Sequence, residues 1–163
     1  MDLGTTLDRE ATEHEPFEAH VGWRAGVGAG LAAATVMGLG MTLVEPALLA
    51  ESIAGLYGAA GSLAAGWLVH LGHGAAFGLA FAVVLADPSL VRVGHWLPGS
   101  VVAGLIYGLV LALVGMGVIM PMWLEGVGLS GAPSLPFVTP ALVGWHLVFG
   151  AVLGGLFPVL EDG

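Results

Sequence analysis

Residues 70–81 read His-Leu-Gly-His-Gly-Ala-Ala-Phe-Gly-Leu-Ala-Phe, and residues 146–157 read His-Leu-Val-Phe-Gly-Ala-Val-Leu-Gly-Gly-Leu-Phe. The two share His-Leu-x-x-Gly-x-x-x-Gly-x-x-Phe, carried by His70, Leu71, Gly74, Gly78 and Phe81 and by His146, Leu147, Gly150, Gly154 and Phe157. Both copies lie inside uncharged apolar stretches. An imidazole is costly in hydrocarbon, and here that cost is incurred twice at matching places.

Working outward, the apolar stretches number four: about 22–44, 63–86, 98–120 and 140–160. Each is close to the ~20 residues a helix needs to cross ~30 Å of hydrocarbon. The chain is 57% hydrophobic and 9% charged, against roughly 25% charged in a soluble domain. These features predict an all-α membrane protein whose four transmembrane helices occupy residues 21–163, preceded by an acidic, disordered cytoplasmic tail over residues 1–20. No cleavable leader is expected, because the first twenty residues carry six acidic side chains against Arg9 alone.

The repeat is wider than the histidine motif. With an offset of 76, residues 70–83 match 146–159 at seven of fourteen positions. With an offset of 78, Ala25, Gly26, Gly30, Leu31, Ala34 and Val36 match Ala103, Gly104, Gly108, Leu109, Ala112 and Val114. Two helical hairpins of the same topology are therefore expected, related by an axis along the membrane normal and packed into a compact bundle. Each span carries one GxxxG pair: Gly26/Gly30, Gly74/Gly78, Gly104/Gly108 and Gly150/Gly154. In lipid such small residues drive helix association by letting backbones approach.

Charge sets orientation and excludes partners. Arg9 and Arg24 precede the first span, Arg92 lies between the second and third, and residues 45–62 and 121–139 hold no Lys or Arg. The positive-inside rule then predicts a multi-pass cell-membrane protein with both termini and the Arg92 loop cytoplasmic. A net charge of −9 argues against nucleic acid, which calls for a basic surface. The expected partners are the lipid bilayer and a second copy or a larger membrane complex. Cysteine is absent, which removes thiolate chemistry. The acidic, lysine-free, Ala-, Gly- and Val-rich composition and the four-span layout resemble small integral membrane proteins of extreme halophiles. That resemblance covers the whole chain in composition and layout, and it carries over no activity and no functional residue.

His70 and His146 fall roughly 10 Å below the outer edge of their spans, and His73 shares a face with His70 at i, i+3. Two site chemistries follow. One is haem b ligated by His70 and His146, with His73 as an alternative ligand and Phe77, Phe81 and Trp67 around the ring. The other is copper or zinc held by His70, His73 and His146, with a methionine or Glu45 as a further ligand and Met41, Met120 and Met122 lining the space above. Either would make the chain an electron-transfer or metal-handling subunit. The plainer reading is that these histidines hydrogen-bond backbone and fix helix register, in a non-catalytic assembly subunit packing through its glycines. A small transporter is a third reading. His95 beside Trp96 reads as an interfacial anchor. Glu45-Pro46 reads as a helix end, and Tyr57 as part of an interfacial segment. No nucleophile elbow or acidic metal loop points to an enzyme.

Overall fold

The computed structural model describes residues 22–129 and 132–161, so the acidic stretch 1–20 lies outside the described residues. Four helices are long and apolar enough to cross a membrane: Trp23–Val44, Leu63–Leu85, Leu97–Gly126 and Pro140–Glu161. The described residues form no strand.

Local chemistry sets the helix ends. Helix α1 (Trp23–Val44) stops at Glu45, where the following Pro46 disfavours helical backbone. Helix α2 (Leu63–Leu85) opens on Ser62, whose Oγ accepts from the Ala65 amide at 3.2 Å. A short turn, α3 (Val91–Gly94), leads to α4 (Leu97–Val110), with Pro98 in its first turn. Helix α6 (Pro140–Glu161) opens on a proline behind Thr139, whose Oγ1 accepts from the Leu142 amide at 3.1 Å.

The third span departs from expectation. After α4 it widens into a π-helix over Leu111–Ile119, then continues through α5 (Met120–Gly126). The third apolar stretch is bounded in sequence at about residue 120, yet Pro121 sits in the first turn of α5 and the helix runs past it to Gly126. Proline is tolerated there because its missing N–H falls at a junction. Its absence leaves the Gly117 carbonyl without an i+4 donor, and the Phe137 amide of the following loop takes that carbonyl at 2.8 Å. A second π-helical turn, Leu48–Ile53, lies between α1 and α2.

The two hairpins are visible in the glycine contacts. A Cβ on Gly30 would meet the Gly74 carbonyl and Gly78 Cα, and one on Gly104 would meet the Gly150 carbonyl and Gly154 Cα, all closer than or at 3.0 Å. Likewise Gly78 faces the Gly26 carbonyl as Gly154 faces that of Ser100. Gly30 is thus the equivalent of Gly104, and Gly26 of Ser100, an offset of 74. The offset of 78 expected from residue matches is one helical turn too long; the offset of 76 between α2 and α6 holds. A four-residue slip keeps the same helix face, so the small residues still meet while their pairing changes. All eight GxxxG glycines are spent inside the hairpins, α1 against α2 and α4 against α6.

The hairpins join chiefly through α1 and α6, which gives the order α2–α1–α6–α4. Where the motif phenylalanines come together, Phe81 meets its own repeat equivalent Phe157 edge to face, with centroids 5.5 Å apart and planes at 87°. Both rings are fully buried. Such a pair adds ≈ 0.5–1.5 kcal/mol beyond its buried area and marks the pseudo-two-fold axis. The faces turned away from this core carry exposed Leu43, Leu68, Val102 and Ile106, a surface suited to lipid.

Candidate functional site

Toward the end of the bundle that bears the 45–62 and 120–139 connections, α2 and the third span separate. Tyr107 closes the gap below: its hydroxyl donates to the Phe77 carbonyl at 3.0 Å, and its ring lies 5.4 Å from that of Phe81. Above Tyr107 the separation becomes a cavity of ≈ 410 Å³, within the ≈ 300–1,000 Å³ typical of small-molecule sites. Its walls come from all four spans, including Met41, His70, Val114 and His146, and Leu48 to Tyr57 form its roof. Val110, Val114 and Ile119 at the rim are half exposed or more.

The π-helix helps to make this space. A π turn is wider than an α turn, and Leu111, Val114, Gly115, Met116 and Ile119 of that stretch all line the cavity. A Cβ on Gly115 would meet nothing within 4 Å.

All three histidines singled out from sequence, His70, His73 and His146, line the cavity. Each is held differently. His70 is buried and its Nε2 donates across to the Ala34 carbonyl of α1 at 3.0 Å. The Trp67 ring stands edge-on to it, with centroids 6.2 Å apart. His146 is equally buried, but its Nδ1 donates to the Leu142 carbonyl one turn back on its own helix, at 2.8 Å. The repeat explains the difference. Ala34 and Gly108 are equivalent, and with no side chain at Gly108 the backbone carbonyl of His146 moves against α4. His73 pairs its Nε2 with the Tyr57 hydroxyl at 2.9 Å, which ties the roof to α2.

The metal set expected with Glu45 does not assemble. Glu45 stands outside the cavity lining, and its Oε2 accepts from Trp145 Nε1 at 3.3 Å. Among the described residues no three His, Asp or Glu side chains are placed to hold a metal ion. Helix geometry accounts for this, because Glu45 caps the first span at its end and its side chain meets the facing Trp145. Met41 and Met120 do line the cavity, whereas Met122 points away and is exposed. Phe77 lines it too; Phe81 belongs to the core below and Trp67 lies behind His70. His95 lies 3.6 Å from Glu161 at the opposite end of the bundle.

Three contributors escaped sequence reading: the π-helical wall, Tyr107 as the tie between the third span and Phe77, and Tyr57 as the partner of His73. Only the rarity of tyrosine, two in 163 residues, singles out the last two.

The lining carries no Asp, Glu, Lys or Arg. Its polar groups are imidazoles, the Ser52 and Tyr57 hydroxyls and two indoles, set in an apolar wall. Such a space accepts an uncharged molecule and is a poor host for an ion. No family, no curated protein and no solved structure matches this chain.

Proposed function

We propose that this integral membrane protein binds an uncharged lipophilic small molecule in the cavity between α2 and the π-helical part of the third span, with His70 and His146 as its polar recognition pair. One observation carries the reading: an uncharged, mostly apolar space of ≈ 410 Å³ lies within the spans, and both repeat-equivalent histidines face it. Ionisable side chains inside membrane segments mark functional sites by default, and a concave apolar pocket with a few convergent polar groups is the usual form of a ligand site. The gap between α2 and the third span offers a route from the bilayer.

Native mass spectrometry of the protein in lipid nanodiscs, incubated with an uncharged bromoalkyl benzene, tests the proposal. A one-to-one adduct is expected for the wild type and none for Gly115→Phe, whose ring would fill the cavity. A wild type without adduct rejects the reading.

Haem b bridging His70 and His146 is the second reading, supported by the way each ring N–H is anchored on a backbone carbonyl, as metal-bound imidazoles usually are. Against it stands the lack of any Lys or Arg in the lining to balance two propionates. Optical spectra of the purified protein, oxidised and then dithionite-reduced, decide between the two. A Soret band with sharp reduced bands selects haem; a featureless visible spectrum selects the neutral ligand.

A further inference from the structure

The carbonyls that hold the imidazoles also define what the cavity offers a ligand. A carbonyl oxygen can only accept, so the shared proton sits on Nε2 of His70 and on Nδ1 of His146. In each neutral ring the other nitrogen, Nδ1 of His70 and Nε2 of His146, is then a lone pair that can only accept. These nitrogens are not sealed inside protein. Ser100 Oγ is the one fully buried side-chain polar atom without a partner among the described residues, and it lies in the core of α4. The space left to the two nitrogens is the cavity that both residues line.

The indole donors around that cavity are already committed. Trp123 Nε1 donates to the Leu56 carbonyl at 2.7 Å and Trp145 Nε1 to Glu45, while the Tyr57–His73 pair spends one of its two donors internally and keeps the other. Ser52 also keeps a hydroxyl that both gives and accepts. The cavity therefore presents two acceptor-only nitrogens from opposite hairpins, while its remaining donors belong to Ser52 and the Tyr57–His73 pair. A ketone, ester or ether would leave both of these nitrogens unpaired. A cation would find no anion.

We infer that the ligand is a hydroxyl-bearing lipophile, of the phenol, quinol or long-chain alcohol class, whose O–H donates to His70 Nδ1 or His146 Nε2. This rests on the cavity being the binding site, and it adds the hydrogen-bonding sense that such a ligand must have. An aromatic diol is the best match, since two hydroxyls can reach one lone pair from each hairpin.

The test is a matched pair of probes. Full-length protein in nanodiscs is titrated with a series of para-alkylphenols and with their O-methyl ethers, following tryptophan emission and subtracting partitioning into empty nanodiscs. The phenols should bind about tenfold or more tighter than the ethers of equal chain length, the factor expected of one hydrogen bond to a buried acceptor. In the His70→Phe, His146→Phe double variant the ratio should fall below about threefold while the ether keeps its affinity. Equal affinity of phenol and ether in the wild type overturns the donor assignment and leaves the cavity reading intact. Failure of every chain length of both probes overturns the cavity reading itself. A bound haem in the purified protein also overturns the inference, because iron would then occupy the lone pairs. Should the double variant not fold, the wild-type comparison decides alone.

Discussion

Pro121 and Gly117 are coupled through a bond that neither makes to the other: the proline lacks the amide that would close on the Gly117 carbonyl, and Phe137 supplies one at 2.8 Å. A break in one helix thereby fastens the connection to the next beside the cavity. Pro121→Ala restores a competing donor one turn from that carbonyl. Amide exchange at Phe137 should quicken several-fold, with a loss of no more than about 1 kcal/mol in global stability. Unchanged exchange at Phe137 would remove the proline from this account.

The glycines divide into two groups with opposite expected behaviour. Gly30, Gly74, Gly104 and Gly150 have backbone or a side chain where a Cβ would sit, whereas a Cβ on Gly72 or Gly144 meets nothing within 4 Å. Gly104→Ala and Gly150→Ala should each destabilise the bundle by roughly 1–3 kcal/mol through overpacking. Gly72→Ala and Gly144→Ala should be neutral or gain up to about 1 kcal/mol in helix propensity. Unfolding in mixed micelles measures both, and equal effects in the two groups would contradict the packing described.

Tyr107→Phe keeps the ring against Phe81 and removes only the hydroxyl that donates to the Phe77 carbonyl. A cost of about 0.5–1.5 kcal/mol is expected. The hydroxyl also ties the third span to Phe77, which lines the cavity, so the alkylphenols should leave faster. Wild-type off-rates in Tyr107→Phe would exclude the tyrosine from closing that end.

How far the sequence anticipates the structure differs from residue to residue. The pairing of His70 with His146 is legible because motif and apolar stretch repeat together, and the rarity of polar groups in the spans draws the eye to both. The equivalence of α1 and α4 is misread by one turn. On helices of Gly, Ala, Leu and Val, a slip of four residues returns the same kinds of side chain to the same face, so Gly26 pairs as plausibly with Gly104 as with Ser100. Only the contacts of Gly30 and Gly104 tell the registers apart. Glu45 has the right chemistry for a metal and the wrong neighbour, and a contact with Trp145, 100 residues away, leaves no local trace. The π-helix at Leu111–Ile119 is silent for another reason: an extra residue per turn shifts no hydrophobic pattern in a stretch that is apolar all round.

At the turn between α2 and α3, the Ser89 hydroxyl and amide both donate to Asp87 Oδ1, and they hold that carboxyl below the ordinary carboxylate range. A depressed carboxyl stabilises the fold above its unfolded value of ~3.9 and loses that contribution as pH falls through the folded value. Ser89→Ala should raise the Asp87 midpoint followed by carboxyl NMR. A midpoint unmoved by the change would assign the shift to something other than Ser89.

Because the glycine contacts of Gly26, Gly30, Gly74 and Gly78 all fall between α1 and α2, the first hairpin has its closest backbone contacts in hand before residue 97 leaves the ribosome. Synthesis then delivers a second pair packed through its own glycines, and the packing of α1 on α6 joins the two. The cavity lies where the two hairpins meet, so a molecule placed there would report on how they dock.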